Sequence, residues 1–168
     1  MKIGLLSDTH GFLEPSILEH FQACDEIWHA GDIGTHALAD ELEHFKPLRA
    51  VYGNIDDAGM RKRYPEDNWF DCGDFSVLLT HIAGSPPNFN PRMKKVLKEK
   101  KADILVCGHS HILRVIQDKK SGLLYLNPGA AGRQGFHHVK TILRFDIDKR
   151  NISNMEVIEL GRRGQIIS

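Results

Sequence analysis

The sequence predicts an α/β chain of two stacked β-sheets with helices on the outside, and three features predict it. Over the first two thirds, short apolar runs alternate with helical patterns, as in a mostly parallel sheet covered by helices. From Asn68 onward, apolar runs come in pairs separated by turn residues, the signature of antiparallel hairpins. The chain has 168 residues, 41% hydrophobic and 26% charged, which is enough to bury a sizeable core without disulfide staples. Residues 1–168 are therefore expected to form one domain.

Each element follows from its own pattern. Residues 2–7 read as a buried strand, and residues 14–23 as a helix whose Pro15 suits the first turn. A second strand is expected at 26–30, then a helix capped by Thr35 and running to about Phe45, then a third strand at 48–52. Residues 69–72 and 75–80, joined by Gly73-Asp74, form a hairpin pattern. Asn90-Pro91 starts a lysine-rich helix to about Lys101, followed by a buried strand at 104–107. A second hairpin (113–117 and 123–126) turns at Lys120-Ser121-Gly122, and strands at 141–147 and 154–160 close the chain. The stretches 57–67, 82–90 and 130–138 carry no readable pattern and are expected as loops.

Charge narrows the function classes. Lys plus Arg equals Asp plus Glu, 22 against 22, so neither extended nucleic acid nor an anionic membrane is expected as a partner. No apolar stretch approaches the roughly 20 residues that span a bilayer. The N-terminal run reaches Asp8 too soon for a signal-peptide core. Cys24, Cys72 and Cys107 stand in unrelated contexts with no CxxC pair, so they are read as reduced thiols of a cytoplasmic protein.

The ten histidines carry the chemistry. Five apolar runs are each followed at once by a residue able to bind metal: Asp8 and His10, Asp32, Asn54, His81, and His109 and His111. In open α/β sheets, ligands bind beyond the carboxyl ends of the strands, where distant residues converge. The i, i+2 pairs Asp8/His10 and His109/His111 would share a face in extended backbone. Gly31, Gly53 and Gly108 precede three of the candidates and permit close approach of backbone at such a rim. Carboxylate and imidazole donors without cysteine suit Mn, Fe, Co, Ni or Zn rather than a structural zinc. Seven donors exceed the need of one ion; they suit two, about 3.5–4 Å apart, bridged by a carboxylate. Asp32 is the natural bridge, because its strand is expected between the others. Two divalent cations outweigh two aspartates and a hydroxide, so the site would be cationic and would attract a phosphoester.

Taken singly, each motif has an ordinary structural explanation, a turn dipeptide or a core histidine. Their joint occurrence, in order, at five strand ends outweighs those explanations. The other histidines keep the structural reading: His29 in the core, His20, His36 and His44 on helix surfaces, and His137-His138 after a glycine-rich turn, with cleft lining as the lesser alternative. The lysines at 94, 95, 98, 100 and 101 read as the solvated face of a helix.

Together, Asp8-Thr9-His10, Gly31-Asp32, Gly53-Asn54-Ile55-Asp56, Thr80-His81, Gly108-His109-Ser110-His111 and Asn127-Pro128-Gly129 resemble the calcineurin-like metallophosphoesterase superfamily. Within it, the chain resembles the small YfcE/MJ0936-type phosphodiesterases, to which the retromer subunit VPS29 is related. The resemblance implies a four-layer αββα sandwich of two mixed sheets flanked by helices. It implies one metal on Asp8, His10, Asp32 and His111, and a second on Asp32, Asn54, His81 and His109. It also places Asn127 at the cleft edge, with Arg133 a candidate for steering phosphate. Two departures matter: Ile55 stands where many members have a histidine acting on the leaving group, and Ile82 stands where a glycine is usual.

The expected function is a phosphodiesterase using two divalent transition-metal ions, manganese first, to hydrolyse small or nucleotide-like diesters by attack of a metal-bridging hydroxide. Asp32, Asn54 and His109 are its expected catalytic set, with Asp56 orienting a ligand histidine or a bound water. The alternative is a VPS29-like protein-binding scaffold with incidental metal. Self-association as a homodimer or larger homo-oligomer is compatible with exposed hairpins.

Overall fold

A computed structural model describes residues 1–164. In chain order the elements are β1 (Lys2–Leu6), α1 (Pro15–His20), β2 (Glu26–His29), α2 (His36–Phe45), β3 (Leu48–Ala50), α3 (Ala58–Arg63), β4 (Asp67–Cys72) and β5 (Phe75–Thr80). They continue as β6 (Gly84–Ser85), β7 (Asn88–Phe89), α4 (Pro91–Glu99), β8 (Ile104–Val106), β9 (Leu113–Gln117), β10 (Leu124–Pro128), β11 (Val139–Asp148) and β12 (Asn151–Arg162).

The strands form two five-stranded mixed sheets, ordered β12-β11-β1-β2-β3 and β4-β5-β8-β10-β9, plus the small β6–β7 ribbon. Within the first sheet β1, β2 and β3 are parallel, and within the second β5, β8 and β10 are parallel. Strand alternation builds the layers. Ile3 and Leu5 of β1 face Val77, Leu79, Ile104 and Val106 between the sheets. Leu6 points the other way, to Ile17, Leu38, Leu42 and Met60 of the first three helices. Leu78 and Leu105 point outward on the second sheet, against Met93 of α4. The order is helices, sheet, sheet, helix: the αββα sandwich.

Local chemistry explains most boundaries. Thr35 Oγ1 accepts from the Leu38 N–H at 3.3 Å and Asn90 Oδ1 from the Met93 N–H at 2.8 Å, so both expected caps form. The first helix is shorter than the pattern suggested, ending at His20. Helix α3 lies in a stretch expected to be loop; Asp57 caps it by accepting from the Met60 N–H at 2.8 Å, and its six residues bury Met60 alone. The β6–β7 ribbon also occupies an expected loop, and β12 runs well beyond its expected bounds at both ends, paired along β11. Its added residues at either end, 151–153 and 161–162, are exposed or half-buried, so an apolar count did not include them.

His29 is fully buried, as expected of a core residue, yet it is also a connector. The Gly31 N–H donates to its Nδ1 at 3.1 Å. Its Nε2–H therefore donates to Thr9 Oγ1 at 3.0 Å, and that hydroxyl donates to the Ile33 carbonyl at 2.9 Å. This neutral ring ties the turn after β1 to the turn after β2. Burial, only partly opposed by nearby carboxylates, holds its pKa down at about 4 against an ordinary 6.5. The folded state thus binds this proton less readily than the unfolded chain. Its contribution to stability is whole above pH 6.5 and is lost as pH falls through about 4. The loss is about 3 kcal/mol at most. Urea unfolding across this window should show the decline, flattened in His29→Gln; equal slopes in the two proteins would refute it.

Candidate metal centre

Parallel pairing brings the carboxyl ends of β1, β2 and β3 to the same rim as those of β5 and β8, and β2 lies between β1 and β3. All seven expected donors sit in the turns that leave these ends. Six of them fall into two groups, Asp8/His10/His111 and Asp32/His81/His109, the donor atoms of each within 4.8 Å of one another. Asp8 Oδ1 lies 3.1 Å from His111 Nε2 and 4.0 Å from His10 Nε2. Asp32 Oδ2 lies 3.2 Å from His81 Nε2 and 3.5 Å from His10 Nε2, so one oxygen faces both groups. Asn54 Oδ1 is 3.0 Å from both His81 Nε2 and His109 Nδ1.

The expected route to this convergence is corrected in one respect. The pairs Asp8/His10 and His109/His111 are not in extended backbone; their φ values are 55°, 47°, 65° and 59°, and that of Asp32 is 54°. Left-handed backbone at non-glycine residues is costly and persists only where surrounding structure imposes it. At Asp8, His10 and Asp32 backbone hydrogen bonds impose it: the Asp8, His10 and Gly11 N–H groups donate to the carbonyls of Gly31, Asp32 and Ile33 at 3.0, 3.0 and 2.8 Å. Glycine is required where these turns touch. A Cβ on Gly53 would collide with the Asp32 carboxylate, and one on Gly108 with the Ser7 hydroxyl.

The carboxylates are aimed by their unused oxygens. Asp8 Oδ2 accepts from the Ser7 hydroxyl at 2.7 Å and the His109 N–H at 3.1 Å, leaving Oδ1 toward the imidazoles. Asp32 Oδ1 accepts from the Ile55 N–H at 3.0 Å, leaving Oδ2. Burial opposes charge on Asp32, but the His81 ring and the Ile55 amide overcome it and hold the carboxyl below its ordinary range. For His81 burial likewise disfavours charge, and Asp32 and Asp8 outweigh it and raise its pKa. Burial and the His81 charge lower that of His109.

A metal fits this donor set. His10 Nε2 is buried and has no hydrogen-bond partner among the described residues, an orphan aimed at two carboxylates. His81 Nδ1 faces the Ala30 carbonyl at 2.7 Å, which fixes the proton there and turns the Nε2 lone pair inward.

Three expected site residues have other surroundings. Asp56 has no histidine among its hydrogen-bond partners; its oxygens accept from the backbone N–H groups of Ile33 (3.1 Å), Gly34 (2.8 Å) and Gly53 (2.8 Å). It clamps the turn carrying Asp32 to the turn carrying Asn54. Asn127 is fully buried, so it cannot edge a cleft; its amide donates to the Gly108 carbonyl at 3.0 Å and Ser110 Oγ at 3.1 Å. It pins the loop of His109 and His111. Arg133 lies with its guanidinium carbon 3.5 Å from the centre of the Phe12 ring.

His137 was set aside with the structural histidines, and the structure gives it a role through His111. Its Nε2 faces the Gly132 carbonyl at 2.8 Å, so that nitrogen carries the proton. Its Nδ1 then accepts from His111 Nδ1, 3.2 Å away, and the His111 Nε2 lone pair is directed at the site. Burial lowers the His137 pKa, which keeps the ring neutral and able to accept. The Gly132/Gly135 turn beside it was the available signal in the sequence. His137→Ala should weaken metal binding about 10–100-fold, with partial recovery in His137→Asn, whose side-chain oxygen can accept the same bond. Metal titration by calorimetry measures this, and wild-type affinity in the alanine variant would disprove the linkage.

A layered αββα sandwich with carboxylate and imidazole donors gathered beyond its strand ends defines a metallophosphoesterase-fold protein. The chain belongs to the calcineurin-like phosphoesterase superfamily, whose domain profile matches residues 1–150. It is 30% identical over 138 residues to a probable metallophosphoesterase of Methanothermobacter thermautotrophicus, covering 77% of each protein. It is 25% identical over 146 residues to the phosphodiesterase MJ0936 of Methanocaldococcus jannaschii, covering 77% of this chain and 83% of that protein. In fold it is similar to a single-substitution variant of Vps29 from Entamoeba histolytica, with a TM-score of 0.75 and 18% identity over 95% of this chain and 99% of that one. Among the described residues no helix is long and apolar enough to cross a membrane.

Proposed function

We propose that the chain is a phosphodiesterase with two divalent transition-metal ions, hydrolysing small or nucleotide-like diesters. The observation that carries this reading is the pairing of the two donor groups through one Asp32 oxygen, which faces His10 of one group and His81 of the other. Asp8, His10, Asp32 and His111 would hold one ion, and Asp32, Asn54, His81 and His109 the other. When bound, such ions lower the pKa of water and offset the charge developing on a phosphoryl group.

The chain's own residues set the rest. Ser7 and the His109 amide fix Asp8, Ala30 fixes His81, His137 fixes His111, and the Asp56 clamp fixes the spacing of Asp32 and Asn54. Metal uptake requires neutral imidazoles, so the raised pKa of His81 makes binding release a proton and weaken in acid. Ile55 has no proton to give a departing alkoxide. Esters with acidic leaving groups, such as aryl diesters, are therefore the expected substrates.

Metal-stripped protein reloaded with manganese, iron, zinc, cobalt or nickel, then assayed on aryl diesters and alkyl monoesters, tests the reading. Hydrolysis of the diesters should require added metal and exceed that of the monoesters. A preference for alkyl monoesters, or full activity after stripping, would count against it. The scaffold alternative rests on the fold likeness to Vps29. Of the exposed large apolar residues, Ile55, Ile82, Ile112 and Phe136 lie beside Asn54, His81, His111 and His137 around the donor rim, whereas Met1, Val115 and Val157 lie away from it.

A further inference from the structure

Two clefts open from the candidate centre, and they share a wall. The first, 330 Å³, is lined by Tyr52, Asn54, Arg61, His81, Ile82 and Arg92 among others. The second, 180 Å³, includes Ile82, Ser85, His109, Ile112 and Tyr125. Each cleft therefore reaches donors of the Asp32 group, the first through His81 and Asn54 and the second through His109. Ile82 belongs to both, 37% exposed and with an ordinary negative φ.

We infer that Ile82 sorts the two ester arms of an asymmetric phosphodiester, an aromatic or heteroaromatic arm entering the cleft beside His81 and a small apolar arm the cleft beside His109. The inference rests on the phosphodiester reading of the centre and adds the substituents. A tetrahedral phosphorus with its free oxygens held at the centre sends two arms outward in diverging directions, whereas a monoester sends one. Two clefts on either side of one side chain match the former.

The clefts differ in chemistry as well as size. In the first, the Arg61 guanidinium lies 4.9 Å from the Tyr52 ring centre and is tied to the carbonyls of Asp56 (3.0 Å) and Asn54 (3.1 Å). This fixed, exposed cation and the ring beneath it form a flat platform for an aromatic group. The volume lies at the low end of what ligand pockets offer, about 300 Å³. The second cleft is smaller than that range, with room for a short alkyl arm; Ile82, Ile112 and Tyr125 form its apolar wall, and Arg114, donating to Ser85 Oγ at 3.1 Å, forms its polar edge.

The wall itself is held rigidly. The His81 carbonyl accepts from the Gly108 N–H at 3.0 Å, and the Ala83 carbonyl from the Asn90 N–H at 3.0 Å. Between them the Ile82 carbonyl accepts from Asn90 Nδ2 at 3.2 Å and Arg92 Nη2 at 3.3 Å. Arg92 is anchored in turn on Asp67 at 2.7 Å. Truncating the side chain should merge the clefts without moving the backbone.

Binding of three non-hydrolysable phosphinates to manganese-loaded protein tests this by calorimetry. Methyl(phenyl)phosphinate should bind at least about tenfold tighter than dimethylphosphinate, and diphenylphosphinate should gain nothing further over methyl(phenyl)phosphinate. In Ile82→Ala, diphenylphosphinate should gain about tenfold relative to methyl(phenyl)phosphinate, with thermal unfolding unchanged. A flat order in the wild type, or an unaltered ratio in the variant, overturns the sorting role. Hydrolysis of aryl diesters with a flat binding order would overturn this inference alone. The expected order without any metal-dependent hydrolysis would instead overturn the hydrolase reading and leave the sorting role standing.

Discussion

Asp32→Asn is expected to lower metal-dependent diester hydrolysis by at least about a thousandfold, roughly 4 kcal/mol of transition-state stabilisation. The replacement keeps shape: an asparagine oxygen can still accept from the Ile55 N–H, which Asp32 Oδ1 now does at 3.0 Å. What disappears is the negative charge on the one oxygen that lies 3.5 Å from His10 and 3.2 Å from His81. Both donor groups then lose their shared anion, so both ions should bind more weakly, and calorimetric stoichiometry should fall. His81 also loses the carboxylate that raises its pKa most directly, so proton release on metal uptake should shrink. Thermal unfolding of the stripped variant serves as the control for folding. Full activity with full metal stoichiometry would show that Asp32 bridges nothing.

Asp56→Ala should destabilise the protein by about 3 kcal/mol or more, and for a different reason. One buried carboxylate accepts from three backbone N–H groups, those of Ile33, Gly34 and Gly53. Removing it strands donors that cost about 1–3 kcal/mol each if left unsatisfied. Because the clamp joins the turns of Asp32 and Asn54, metal affinity should fall with stability. Asp56→Asn, which keeps an acceptor oxygen, should recover part of both. Urea unfolding and metal titration on the same samples check this; unchanged stability in the alanine variant would remove Asp56 from the account.

The donors were legible because each follows an apolar run directly, and a strand end is a fixed address in an open α/β sheet. Spacing put Asp8 and His10 in one donor group, but it did not show that His109 and His111 belong to different groups, and neither pair lies in extended backbone. The left-handed φ values of Asp8 and His10 come with hydrogen bonds to the turn after β2, distant in sequence, whereas at His109 a local bond from the Ser110 N–H to the Gly108 carbonyl, 2.8 Å, closes the turn. Asn127 and Asp56 show the complementary limit. Both stand among motif residues, yet both are buried and bonded to loops. A polar residue near a site reads the same in sequence whether it faces a ligand or holds the backbone that does. Helix α3 escaped notice because six residues with one buried side chain, Met60, leave no apolar period to count.

By itself, the order of apolar runs and the polar residues after them determined the layered α/β architecture and the identity of the seven candidate donors, since hydrophobic periodicity and strand ends are local properties. Tertiary structure alone decided that one Asp32 oxygen stands between the two groups, that His137 directs His111, and that Ile82 divides two clefts. Each of those facts is a distance between segments far apart in the chain, fixed by sheet pairing and by amide bonds across the rim, and no single segment contains it.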